Sequence, residues 1–270
     1  MKICDDIIKS YLDGGDLEQF REAWYYTDSD LSRTYGKNVF TLPPEGEELR
    51  QKARVVYDTL LGLFSDFTPA GKAKELYDGL FPNWREVADT VAVDLLVGLP
   101  NPHDAVVCND PDGKLHMLFD VIRWTPMVDY NLSGEALGIV SHELFHVLMH
   151  TRFPQGDTAG NYLEQLDQIV FHEGIAHLVQ LAGIMEIDLQ GERLTGVKER
   201  STEKLRQALG ETDRSQQAQF LYEANCGNYF DKYGAMAGML YLARIWQEGG
   251  IPALREALDA GPVGFARRCC

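Results

Sequence analysis

The segment His142-Glu143-Leu144-Phe145-His146 places two imidazoles four residues apart, with a carboxylate beside the first. On a helix, residues four apart differ by about 40° around the axis and about 6 Å along it, so both rings can converge on one ion. Imidazole nitrogens suit zinc, and a carboxylate next to such a pair suits the base that activates water for hydrolysis. A second segment, His172-Glu173-Gly174-Ile175-Ala176-His177, comes after enough residues to finish one helix, turn and return antiparallel. Five of the seven histidines lie between His142 and His177, which an even spread over a surface would not give. Metal binding is therefore the leading expectation.

The expected ligands are His142, His146 and Glu173, holding one Zn2+ per chain with a fourth position open to water or substrate. Glu173 falls within a mainly apolar stripe formed by Tyr162, Leu166, Ile169, Val170 and Ile184. Burying a carboxylate there is costly unless something compensates it, and a dication would. Glu143 stands about 100° from His142 around the helix, beside the ion and suited to act as base. His177 either orients Glu173 or packs beside it, and His150 is read as supporting or structural. His172 turns away from Glu173, as a surface or interlayer residue.

These side chains need two helices to carry them. Leu137, Val140, Leu144, Val147 and Leu148 define the core side of the first, nearly opposite His142 and His146. Ser133 is its expected N-cap, with Glu135 in the first turn, and Pro154 with Gly156 should end it. Asn161, followed three residues later by Glu164, resembles a capping box opening the second helix, which should run to about Met185. Upstream, TVAVDLLVG, DAVVCND and LHMLFDVIRW read as strands, and NDPDG at 109–113 reads as a turn joining two of them.

From Met1 to about Asn83 the apolar spacing is helical, as in Ile3, Ile7 and Tyr11 or Val56, Leu60 and Leu63. A polar stretch at about 190–217 leads to further helical segments containing AMAGMLYLARIW and PALREAL. The expected fold class is α+β and mostly helical, with a small mixed sheet before the motif helix and helices at both ends. A single domain over 1–270 is expected. Its parts are an N-terminal helical region to 85, sheet and metal-binding helices over 86–190, and a C-terminal helical region from 191.

With 45% apolar residues, 270 positions can bury a substantial core. A net charge of -16 argues against a nucleic-acid or anionic-membrane surface. It serves solubility or, more sharply, a cleft favouring cationic peptides. Asp5, Asp6 and Lys9 interrupt any secretory apolar run, and no segment is long enough to span a bilayer. Five cysteines without CxxC spacing suggest reduced thiols in a cytoplasm.

HELFH followed on a later helix by Glu173-Gly174-Ile175-Ala176 resembles the gluzincin metallopeptidases. It looks like poorly characterised bacterial families of zinc-dependent peptidases in which the second ligand often sits in an EGxA setting. The resemblance covers about 45 residues, from Ser133 to Gln180. It implies a thermolysin-like zincin core in which an edge strand aligns an extended peptide or protein substrate. By that analogy LHMLFDVIRW at 115–124 is the edge strand, although its alternation alone equally suits an internal one. The resemblance further implies that Glu143 serves as general base and that a downstream tyrosine, Tyr233 or Tyr229, stabilises the oxyanion. No GxMEN-type segment is present, so an endopeptidase is favoured over an aminopeptidase, and the third histidine of metzincins is absent at its spacing. The rival expectation is a catalytically silent zinc-binding protein that uses the scaffold for binding or regulation. A di-iron bundle would need two ExxH pairs, and Glu173 to His177 has the wrong spacing.

Overall fold

In a computed structural model of the chain, residues 1–36, 38–153 and 160–270 are described. The chain is α+β, mostly helical, with a small mixed sheet of four strands. It divides into two compact units, one of Met1–Pro69 with Asn83–Val147, the other of Ala70–Pro82 with Leu148–Cys270.

The first unit contains the sheet. Its strands are β1 (Lys2–Cys4), β2 (Ala92–Leu96), β3 (Ala105–Asn109) and β4 (Leu115–Asp120), in the spatial order β1-β2-β4-β3. β2 runs parallel to β1 and β4, whereas β3 and β4 form an antiparallel hairpin with Cys108 opposite His116. The hairpin turn is the expected NDPDG: Asp110 accepts from the backbone N–H groups of Asp112 (2.9 Å) and Lys114 (2.8 Å). All five residues of β2 are buried, as suits an internal strand with parallel neighbours.

Two sequence expectations change here. The helical reading from Met1 fails over Lys2–Cys4, which is a strand because β2 supplies a parallel partner in register with Ile3 opposite Val93. LHMLFDVIRW is not an edge strand. β4 lies between β2 and β3, so the sheet's edges are β1 and β3, and the chain leaves β4 at Asp120 for a 3-10 segment, Val121–Asp129. From His116 onward every residue of β4 is buried, because both its edges and both its faces are covered.

The helices of this unit are α1 (Asp6–Leu12), α2 (Trp24–Thr27), α3 (Asp30–Tyr35), α4 (Glu47–Ser65) and α6 (Trp84–Thr90), while α5 (Ala73–Leu80) belongs to the second unit. α4 buries Ala53, Val56, Tyr57, Leu60 and Phe64, a stripe at helical spacing. Phe64 meets Phe119 of β4 with ring centroids 5.3 Å apart, and Phe119 meets Trp124 at 5.5 Å. Asp120 joins the end of β4 to the 3-10 segment and to the chain beyond β2. Its buried carboxylate accepts from the backbone N–H groups of Gly98 and Leu99 (2.9 Å each) and of Ile122 (3.1 Å). Burial pushes this carboxyl up, against the backbone donors and the nearby Arg123 that pull it down.

α7 (Leu132–Arg152) carries HELFH and runs through the boundary between the units. It starts one residue before the expected cap, so Ser133 lies inside its first turn with Glu135. Pro154 and Gly156, read as its terminator, lie outside the described residues.

The second unit is helical throughout. α8 (Tyr162–Ile184) opens on the expected capping box: Asn161 accepts from the N–H groups of Leu163 (3.1 Å) and Glu164 (3.2 Å), and Glu164 accepts from the Asn161 N–H (3.0 Å). From Val170 to Ala182 only Glu173 is not fully buried, which marks a central helix. Around it lie α9 (Glu192–Gly210), α10 (Arg214–Asn225), α11 (Tyr233–Asp259) and α12 (Phe265–Arg268). The polar stretch after 190 is thus itself helix, with Leu194, Val197, Leu205 and Ala208 on its buried side. α11 is kinked at Gly250, where a positive φ of 65° precedes Pro252. Asp167 of α8 holds the last turn of the chain by accepting from the N–H groups of Gly264 (2.7 Å) and Ala266 (2.8 Å). Among the described residues no helix is long and apolar enough to cross a membrane.

Candidate metal centre

Every residue of α7 from Val140 to Met149 is buried. The expected division into an apolar side and an open histidine side is therefore replaced by a helix covered all round. His142, Glu143 and His146 are 8%, 6% and 9% exposed, so three polar side chains occupy core positions. The imidazoles do converge: Nε2 of His142 lies 3.0 Å from Nε2 of His146, with the ring planes at 75°. Nitrogens that share a tetrahedral zinc at about 2.0–2.1 Å stand about 3.3 Å apart, close to this separation.

On α8, Glu173 and His177 form a second pair, one turn apart. Glu173 Oε1 accepts from Asn225 Nδ2 at 2.9 Å, while Oε2 lies 3.5 Å from His177 Nδ1. His177 Nδ1 also lies 2.9 Å from the Glu173 carbonyl oxygen. A carbonyl can only accept, so Nδ1 carries the hydrogen, and in the neutral ring the lone pair sits on Nε2. Tyr229, in a 3-10 turn at Tyr229–Asp231, stacks on His177 with centroids 5.2 Å apart and its hydroxyl 3.4 Å from the His177 carbonyl.

Of the expected ligands, His142 and His146 converge within the first unit, and Glu173 stands beside His177 in the second. His177 is the residue read from the sequence as orienting or packing beside Glu173. Two or three imidazoles with one carboxylate form a nitrogen and oxygen donor set of the kind that suits zinc, so these residues fit such an ion.

The remaining sequence candidates fall elsewhere. Tyr233 is buried, its hydroxyl donating to the Phe220 carbonyl at 2.9 Å, and burial pushes that phenol far up. Tyr229 lies against the His177 ring. His150 faces His172 at 5.7 Å between ring centroids, and His172 is buried against Phe171 rather than on a surface. Asn225 escaped the sequence reading. It stands 52 residues from Glu173, and no spacing rule marks an amide at that distance.

A further buried polar group lies at the sheet. His116 Nδ1 is 2.6 Å from Asp94 Oδ2, and its Nε2 is 3.3 Å from Asp110 Oδ2, with the Trp24 ring packed edge-on at 4.9 Å. This group ties β2, β4 and the hairpin turn together. Comparison with protein-family models, with curated proteins and with solved structures gave no match to this chain.

Proposed function

We propose that this chain is a zinc-dependent peptidase of the gluzincin type that hydrolyses peptide bonds within peptide or protein substrates. The observation that carries the reading is the convergence of the two HELFH imidazoles, Nε2 of His142 lying 3.0 Å from Nε2 of His146, with Glu143 buried beside them. His142, His146 and Glu173 would hold the ion, which when bound polarises a carbonyl and lowers the pKa of water. Glu143, one residue from His142 and buried with it, takes the proton of the attacking water and passes it to the leaving amine. Five free cysteines agree with a cytoplasmic setting.

A second reading has its own support. His142, Glu143 and His146 are each 9% exposed or less, which suits a catalytically silent zinc protein whose ion is sealed by side chains. One comparison separates the two. Protein purified without added metal should carry about one zinc per chain, and Glu143→Ala should keep that zinc while losing hydrolysis of a peptide library. Zinc without hydrolysis in the wild type would favour the silent scaffold. Absence of zinc would overturn both.

A further inference from the structure

We infer that Asn225 is a positioning residue that sets Glu173 for one-oxygen ligation, an inference that rests on the metal-centre reading. Asn225 Nδ2 donates to Oε1 at 2.9 Å, which occupies one carboxylate oxygen and leaves Oε2 on the His177 side. The donor is neutral. A lysine or arginine in this place would cancel the charge that attracts a dication, whereas an amide fixes the direction of the carboxylate and leaves its charge whole.

Asn225 is itself held. It is the last residue of α10, whose N-terminus is capped by Asp213 accepting from the N–H of Ser215 at 2.8 Å. The neighbouring Ala224 is fully buried against the first turn of α11, where a Cβ on Gly234 would come within 2.8 Å of the Ala224 Cβ. The chain after Asn225 is anchored too: Tyr229 stacks on His177, and Phe230 lies under the Arg193 guanidinium at 4.1 Å. Residues 225–230 thus form a strap that touches both members of the α8 pair. Its Asn225 end orients the carboxylate and its Tyr229 end packs the imidazole.

The test is a zinc competition titration of metal-free full-length protein against a chromophoric chelator. Asn225→Ala should weaken zinc binding by about 10–100-fold, the range for loss of a partner that orients a ligand. In a Glu173→Ala background the same substitution should change affinity less than twofold, because its target is gone. Thermal unfolding of each metal-free variant checks the fold, and Asn225→Ser, which keeps a shorter donor, replaces the alanine variant if that one does not fold. Equal zinc affinity of wild type and Asn225 variants overturns the positioning role alone. A loss of the same size in both backgrounds also overturns it, since the effect would then be structural. Wild-type protein that takes up no zinc overturns the metal centre and this role with it.

Discussion

Gly174 and Gly238 meet backbone to backbone where α8 crosses α11. A Cβ on Gly174 would fall 2.8 Å from the Gly238 backbone, and one on Gly238 would fall 2.1 Å from the Val170 carbonyl oxygen. The glycine next to Glu173 is therefore required by packing. It lets α11 approach the turn of α8 that presents Glu173, and no flexible side chain is available to yield.

Gly238→Ala should accordingly destabilise the protein by about 3 kcal/mol, the upper end for overpacking, because the clash is with backbone. Urea unfolding measures it. The control is Gly62→Ala on the exposed side of α4, where a Cβ meets nothing within 4 Å. That change should stabilise by about 0.5–1 kcal/mol through helix propensity. Similar effects of the two substitutions would contradict the close-approach account.

The ligand set makes a second prediction. His142→Ala, His146→Ala and Glu173→Ala should each lower zinc affinity by more than the 10–100-fold of an orienting partner. His177→Ala should fall within that range, since the proposed ligand set gives His177 the part of an orienting neighbour of Glu173, with Nδ1 3.5 Å from Oε2. A larger loss with His177→Ala than with His146→Ala, measured by chelator competition, would exchange their roles and make His142, Glu173 and His177 the ligands.

Asp120 should matter for stability out of proportion to its single side chain. Asp120→Ala would leave the N–H groups of Gly98, Leu99 and Ile122 without the carboxylate they share. With each buried donor costing about 1–3 kcal/mol and partial relaxation, a loss of about 3 kcal/mol is expected in urea unfolding. A loss below about 1 kcal/mol would show that water or rearranged backbone replaces the carboxylate.

The β3–β4 hairpin carries a pH dependence of defined sign. The Lys114 N–H holds the Asp110 carboxyl below its usual range against the opposing effect of burial, with the Asp112 N–H and His116 adding to the lowering. A carboxylate whose folded pKa is depressed contributes stability fully above its unfolded value of about 3.9, and that contribution fades as pH falls through the folded value. Asp110→Ala should thus be less stable than wild type at pH 7, and the difference should narrow only below about pH 4. Urea unfolding at pH 7, 5 and 3 reads it, and a difference unchanged at pH 3 would remove the charge from the explanation.

Much of the local structure was legible because its causes are local. The Asn161 and Glu164 cap is an exchange within one turn, and NDPDG makes its turn from its own side-chain and backbone bonds. The Lys2–Cys4 strand was not legible, since three residues of helical-looking sequence become a strand only through pairing with Ala92, Val93 and Asp94. The place of β4 in the sheet was hidden for a related reason: alternation along a strand reports which faces are buried, and its edges are set by other strands. Asn225 left no trace because an amide near a helix end serves many purposes, and its partner lies on another helix.

By itself the sequence determined the chemistry on offer: two histidines that a helix must bring together, a carboxylate beside them, and a second carboxylate with a histidine one turn away. Helical periodicity is a property of the backbone, so spacing alone dictates those pairings. The tertiary structure decided that Asn225 holds one oxygen of Glu173 and that Tyr229 packs on the His177 ring. Contacts between residues tens of positions apart depend on how helices pack, and that packing turns on features such as the Gly174 and Gly238 approach.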